Sequence, residues 1–161
     1  MKHTEFLYLP AGKSAKKSGK KYSLAKSFIV TLPSGKSSEK TKEATLHTPT
    51  GYIVLSACRG GYKLVVPLGW EWDGPSGPTL DTPNNLLPSL VHDALYALMR
   101  ASLLDLSTRS WADRVFYQLL RQEGVGWFRA NYYWLGVSLG AEWAARPSTT
   151  PSLDVSSPDE A

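Results

Sequence analysis

The pattern of hydrophobic and polar residues changes once along the chain, near residue 67. Before that point, short β-branched and aromatic runs alternate with clusters of Gly, Pro, Ser and Lys, which is typical of strands joined by turns. The predicted strands are FLYL, YSLAKSFIVTL, ATLHT, GYIVLSA and YKLVV. The pair Gly60-Gly61 between the last two predicts a tight hairpin. Residues 67–85 contain too much Pro and Gly for a helix or a central strand, and we expect a loop there.

From Leu86 onward the apolar residues recur at helical spacing. Pro88 suits the first turn of a helix, because its missing N–H would have no intrahelical partner there. The apolar stripe of this first helix is Leu90, Val91, Ala94, Leu95, Leu98 and Met99. We therefore expect the first helix to be buried.

Two further helices are predicted. One begins near Ser107 or Ser110 and ends at Gly124. It carries Trp111, Val115, Phe116, Leu119 and Leu120. The other runs from about Trp127 to Ala144, is rich in aromatic residues and has Phe128, Tyr132, Leu135 and Leu139 at helical spacing. Strands followed by helices predict an α+β fold, with a small antiparallel sheet and then three helices.

The length of 161 residues suits one domain. We expect it to span residues 1–146, with a β-rich part (1–66), the loop (67–85) and a helical part (86–146). Residues 147–161 have the composition of a flexible tail.

Charge is distributed unevenly along the chain. Residues 1–50 hold ten Lys and three Glu, a balance of +7, whereas the whole chain carries +4. The lysines lie among Ser and Gly, in GKSAKKSGKK and SGKSSEKTKE. Such runs can contact phosphate, but more often they are solvated loops. They are not interleaved with aromatic residues as in a stacking platform, so nucleic-acid binding through them is the weakest of our hypotheses.

Several features bear on location. No apolar run approaches the roughly 20 residues of a membrane span. The N-terminus lacks the order of a signal peptide, and Cys58, the single cysteine, cannot form an internal disulfide. We expect the protein in a reducing cytoplasm rather than secreted.

The strongest candidates for catalytic residues lie on the first two predicted helices. His92 and Tyr96 are four residues apart and share a face, while Asp93 points toward a neighbouring groove. An antiparallel second helix would bring Asp113 alongside His92. A carboxylate on one imidazole nitrogen leaves the other free to take a proton from water, which makes His92 a candidate general base.

The preceding loop supplies candidate metal ligands. Hard cations such as Ca²⁺ bind carboxylate and carbonyl oxygens, and a Gly- and Pro-rich loop can turn carbonyls inward. We therefore expect Asp93, Asp73 and Gly74 at a possible Ca²⁺ site, where the cation would polarise an ester carbonyl.

Each candidate also has a structural interpretation. A lone His in an apolar helix is more often a hydrogen-bonded core residue. Asp113 follows Ser110 by three positions, as in a capping box. Asp73-Gly74 is a common turn pair, and Asp81 can cap a turn. A catalytic site is favoured over these structural roles because four candidates occur together, namely His92, Asp93, Tyr96 and Asp113.

Three separated motifs resemble a phage and prophage family catalogued as domain of unknown function 1353. They are GWEWDGPSGPTLDT, SLVHDALYALMR and ADRVFYQLLRQEGV, over about residues 51–141. In the family's turn and A-D-x-x-F motifs the matching positions include Ser76, Pro78 and Phe116, and Trp70 stands where Phe is usual. The resemblance implies a bacteriophage origin, and with it a location in the host cytoplasm or in a virion.

The H-D-x-x-Y helix followed by A-D on a partner helix is, more distantly, similar to secreted phospholipase A-two enzymes. That resemblance implies His92 as base, Asp93 as calcium ligand and Asp113 as orienter, supported by Tyr96. The chain lacks the flanking disulfide cysteines of those enzymes, and WDGPSGP is not their usual calcium loop.

Two hypotheses of function follow. The favoured one is a virion structural or assembly component, in which these residues form a buried polar network and the partners are other phage proteins or further copies of the chain. The alternative is a metal-assisted ester hydrolase.

Overall fold

The structure is a computed structural model that describes residues 1–17, 19–35, 43–75 and 82–144. Its strands are β1 (Tyr8–Pro10), β2 (Tyr22–Leu24), β3 (Phe28–Pro33), β4 (Ala44–Thr48), β5 (Gly51–Cys58), β6 (Gly61–Val66) and β7 (Glu71–Trp72). Its helices are α1 (Lys13–Lys17), α2 (Pro83–Arg100), a 3₁₀ turn (Leu106–Thr108), α3 (Arg109–Gln122) and α4 (Trp127–Ala144). The α+β prediction is confirmed.

The strands form two antiparallel sheets rather than one. The larger has the order β3-β6-β5-β4, and the smaller has the order β1-β2-β7. The run YSLAKSFIVTL, predicted as one strand, is divided into β2 and β3 because its two halves pair in different sheets. In FLYL only Tyr8 and Leu9 lie in a strand, which continues to Pro10.

The segment predicted as a loop over residues 67–85 contains regular structure at both ends. Glu71 and Trp72 form β7, which pairs with β2 as a two-residue edge strand. Helix α2 begins at Pro83 rather than near Leu86, and Pro88 lies inside the helix instead of in its first turn. Pro83 takes the initial position that suits proline, since Thr82 is the N-cap and its N–H donates to Asn85 Oδ1 over 2.9 Å.

The core joins both sheets to the helices. The predicted apolar stripe of α2 and the five predicted apolar residues of α3 are all buried. The indole of Trp72, from the smaller sheet, is fully buried and its Nε1–H donates to Ser89 Oγ on α2 over 3.2 Å. Helix α2 is therefore the element against which the smaller sheet is anchored.

Among the described residues, helix α4 packs on the rest of the molecule through the face that carries Ala130 and Tyr133. Ala130 and Tyr133 are buried against a cluster from α3 and the following turn, namely Phe116, Leu120 and Val125. The stripe noted in the sequence lies on the opposite side and is exposed; it consists of Phe128, Tyr132, Leu135 and Leu139. We call these four residues the α4 stripe.

The Lys-rich segments behave differently from each other. Part of the first, expected as a solvated loop, forms the short helix α1. Residues 36–42 of the second run, and the predicted tail from residue 147, lie outside the described residues. Cys58 is exposed at the end of β5. In the described parts of the chain, the helices are too short or too polar to cross a membrane.

Candidate functional site

Helices α2 and α3 bring His92 and Asp113 together. The His92 Nε2 atom lies 3.0 Å from Asp113 Oδ1, and both side chains are nearly buried. Because an ionised carboxylate can only accept, Nε2 carries the hydrogen and Nδ1 has the free lone pair when the ring is neutral. The pair therefore has the orientation that a general base requires, with the proton-accepting nitrogen turned away from the acid.

Asp113 receives two further donors. The Tyr96 hydroxyl donates to Oδ1 over 2.7 Å, and the Ser138 hydroxyl approaches Oδ2 at 3.5 Å. Burial is the main reason why the pKa of Tyr96 lies above its ordinary value, and the bond to Asp113 adds to the effect. Tyr96 therefore remains a neutral donor. Ser138, on α4, was not predicted, because no spacing in the sequence connects it to α3.

The imidazole of His92 lies between two aromatic rings. Its centroid is 4.1 Å from that of Tyr96 and 5.1 Å from that of Phe116. Burial alone would lower the pKa of His92, but the hydrogen bond to Asp113 and the negative charges of Asp113 and Asp93 outweigh it and raise the pKa above 6.5. Phe116 thus contributes an apolar wall to the site.

The second nitrogen of His92 faces Asp93. Nδ1 and Asp93 Oδ1 are 3.9 Å apart, too far for a direct hydrogen bond. A water molecule can contact both atoms at this separation. The side chain of Asp93 is 20% exposed and that of His92 is 10% exposed, so Asp93 is the more exposed of the two.

Asp93 also interacts with Asp73. The pKa of Asp93 is raised to about 6, mainly by burial; His92 opposes this shift and the nearby carboxyl of Asp73 contributes to it. Asp73 also lies 3.8 Å from Lys20 Nζ, with both side chains partly exposed. Lys20 was not predicted as part of the site, because it reaches Asp73 only through the pairing of β2 with β7.

The expected calcium site is assembled only in part. Asp93 and Asp73 meet, and Gly74 follows with φ of 79°, a left-handed conformation that favours glycine. Among the described residues, no three His, Cys, Asp or Glu side chains are placed to hold a metal ion. Ca²⁺ takes six to eight oxygens, so two carboxylates are an incomplete set. Ser76, Pro78 and Asp81, also expected near this loop, lie outside the described residues.

The alternative capping role of Asp113 is wrong. Helix α3 begins at Arg109 with Thr108 as N-cap, so Ser110 is already inside the helix. Asp113 is buried and turned toward α2 rather than toward the helix start.

A concave region lies between α3 and α4, apart from the dyad. It is an open groove of about 420 Å³ lined by Arg114, Tyr117, Gln118, Asn131 and Trp134. None of the residues predicted for the site lies in its wall.

Comparison with known proteins gives one result. A family model described as "Protein of unknown function (DUF1353)" matches residues 51–137, which is more than half of the chain and includes β5 to most of α4. No curated protein and no solved structure matches the chain. Phage origin and the likeness to phospholipase A-two stay predictions.

Proposed function

Because the chain belongs to the DUF1353 family, whose description assigns no chemistry, we propose a function from the site itself: hydrolysis of an ester with His92 as general base and Asp113 as its orienter. The observation that carries this proposal is the contact of His92 Nε2 with Asp113 Oδ1, which leaves Nδ1 on the side of Asp93, the more exposed residue.

The proposed reaction uses groups of this chain. His92 Nδ1 removes a proton from a water molecule on the Asp93 side of the ring while the water oxygen bonds to the ester carbonyl carbon. Asp113 stabilises the imidazolium that forms, and Tyr96 keeps the carboxylate in place. When the carbon–oxygen bond to the alcohol breaks, the imidazolium returns its proton to the departing oxygen. The products are a carboxylic acid and an alcohol.

The proposed hydrolysis does not require a cation at Asp73 and Asp93, and binding of a cation there is tested separately. If Ca²⁺ binds there, with other oxygens completing its shell, it would polarise the ester carbonyl. Calorimetric titration of the wild type and of Asp73→Asn with Ca²⁺ tests this point. Heat of binding that disappears in the variant supports the cation site, and no heat in the wild type removes it.

The hydrolytic proposal is tested by initial rates on short-chain carboxylic esters and on phospholipid vesicles, with Ca²⁺ and with a chelator. His92→Gln should lower kcat/KM by about 100-fold or more, the usual effect of losing a general base. His47→Gln, at an exposed histidine on β4, is the matched control and should keep full activity.

The pH profile provides a second readout. A base must be neutral, so kcat/KM should rise with pH through the raised pKa of His92, above 6.5. Absence of hydrolysis in all conditions, or unchanged rates in His92→Gln, contradicts the proposal.

A second candidate function is a component of a phage particle. The observation that favours it is the α4 stripe, since contiguous exposed apolar surface usually marks an interaction site. Here the His92–Asp113 contact serves only to join α2 to α3. Mass spectrometry of purified particles tests this candidate, and absence of the protein from them counts against it.

A further inference from the structure

The α4 stripe has the geometry of a helix-pairing seam. Its four residues follow one another at intervals of four, three and four, which keeps them within a narrow band along one side of the helix. The band lies opposite Ala130 and Tyr133, through which α4 packs on α3. This 4-3-4 spacing is that of side chains which interlock with another helix.

The stripe is too apolar for a surface helix that faces only water. Phe128 is 83% exposed and Leu139 is 76% exposed, while Tyr132 and Leu135 are about half exposed. Arg129 is the only charged residue between 127 and 140. Its guanidinium is directed to Tyr133, with Nε donating to the hydroxyl over 2.7 Å. The stripe therefore lacks the charges that normally cover a solvent-facing helix.

We propose that the α4 stripe pairs with the same stripe of a second copy of this chain, in antiparallel orientation about a two-fold axis. The surface is not one that the hydrolytic proposal uses, so the two proposals can fail separately.

The order of residues in the stripe makes it self-complementary. Its first half is aromatic, with Phe128 and Tyr132, and its second half is aliphatic, with Leu135 and Leu139. Antiparallel pairing about the centre places Phe128 against Leu139 of the second copy, and Tyr132 against Leu135. Each large ring then meets a smaller side chain, whereas parallel pairing would set ring against ring.

Charge and backbone also permit this pairing. In the antiparallel arrangement the two Arg129 residues are about 13 Å apart along the axis, beyond the screening length of roughly 8 Å at physiological salt. Gly136 lies beside the stripe, and a Cβ added to it would meet no atom within 4 Å. The partner backbone can therefore approach on that flank.

The area available is sufficient for a weak dimer. Taking ~200 Å² for each fully exposed side chain, the stripe offers on the order of 500 Å² per copy. Two copies then bury roughly 1,000 Å², the lower limit for a specific interface, before flanking residues are added. We expect a dissociation constant of about micromolar size.

Sedimentation equilibrium of the full chain tests the proposal at ~100 µM protein, well above the expected constant. The wild type should have twice the mass of one chain. Phe128→Glu should be monomeric, because it places two carboxylates in the seam. Leu68→Glu, at a 54% exposed leucine outside α4, is the control and should remain dimeric. Circular dichroism checks that each variant is folded.

A charge-swap variant tests the orientation. Antiparallel pairing sets position 128 against position 139 of the second copy, so Phe128→Glu combined with Leu139→Lys should restore the dimer. A monomeric wild type overturns the proposal, including one that instead binds phosphatidylglycerol vesicles. A dimeric Phe128→Glu, a mass above that of a dimer, or a double variant that stays monomeric also overturns it.

Discussion

At the scale of single residues, Asp113 is the common acceptor of a group of buried hydrogen bonds. Tyr96 and His92 donate to the same oxygen, at 2.7 and 3.0 Å. A structural network and a catalytic dyad share these contacts. The two interpretations differ at His92 Nδ1. In a purely structural network this nitrogen would hydrogen-bond to another protein group, whereas in a general base it must be able to bind water. The 3.9 Å gap to Asp93 is therefore the feature that favours chemistry.

Part of this site could be predicted from the sequence. The i, i+4 spacing of His92 and Tyr96 and the short connection between the helices suffice to bring Asp113 back to His92. Ser138 and Lys20 could not be predicted in the same way. Their approach depends on how α4 packs and how β2 pairs, and no local pattern encodes either.

Asp93→Asn should change how stability depends on pH. The folded wild type keeps Asp93 protonated up to a pKa of about 6, against an ordinary value of 3.8. Because the folded state holds the extra proton, stability should fall as pH rises from about 4 to 6 and then stay level. The variant should lack this fall and be more stable than the wild type at pH 7.5 by about 3 kcal/mol.

Urea unfolding of both proteins at pH 4, 5, 6 and 7.5 measures this difference. Asp105→Asn, at an exposed acid that caps the 3₁₀ turn, serves as the control for loss of a carboxylate. If the free energy of unfolding depends on pH in the same way for the wild type and Asp93→Asn, then burial does not raise the pKa of Asp93.

At the scale of elements, the β5–β6 hairpin shows where the two glycines of the predicted turn lie in the structure. Cys58 pairs with Gly61, so the turn residues are Arg59 and Gly60, and Gly60 has a φ of 85°. Gly61 already belongs to β6. Its role was not evident from the sequence, because it depends on β3 approaching from the other side.

Gly61→Ala should destabilise the protein strongly. A Cβ there would lie 2.0 Å from the carbonyl oxygen of Leu32, so β3 and β6 would have to separate. We expect a loss of ~3 kcal/mol, as for severe overpacking. Gly60→Asn is the matched control and should lose only ~1 kcal/mol, since Asn tolerates a left-handed conformation and space there is open. Thermal unfolding compares the two, and equal losses would contradict the close approach.

The helices show where sequence signals compete. The bounds of α4 agree with the expected residues 127 and 144. The start of α2 was placed wrongly because two prolines, Pro83 and Pro88, are each compatible with a first turn. Only the cap at Thr82 distinguishes them.

At the scale of the whole molecule, one hydrophobic cluster includes residues from both sheets, α2 and α3. Trp72 belongs to the smaller sheet, Leu64 to the larger and Leu95 to α2, and all three are fully buried. No local pattern predicts which sheet a strand joins, and for this reason the division into two sheets did not emerge from the sequence.

The shared cluster predicts cooperative unfolding. Urea transitions followed by tryptophan fluorescence and by far-ultraviolet circular dichroism should coincide, as for a two-state protein. Ser89→Ala should shift both midpoints together and lower stability by ~1–3 kcal/mol, because it leaves the buried indole N–H of Trp72 without its acceptor. Ser56→Ala, at a serine on β5, is the control. Separate midpoints would show that the smaller sheet unfolds independently.

Helix α4 contributes to both regions of the molecule. The hydroxyl of Ser138 contacts Asp113, and the outward side of the same helix carries the α4 stripe. An axial shift or rotation of α4 on self-pairing would alter that contact and hence the acid that orients His92. Thermodynamic linkage requires the influence to be mutual, so a molecule bound at the dyad would change the monomer–dimer equilibrium by the same factor.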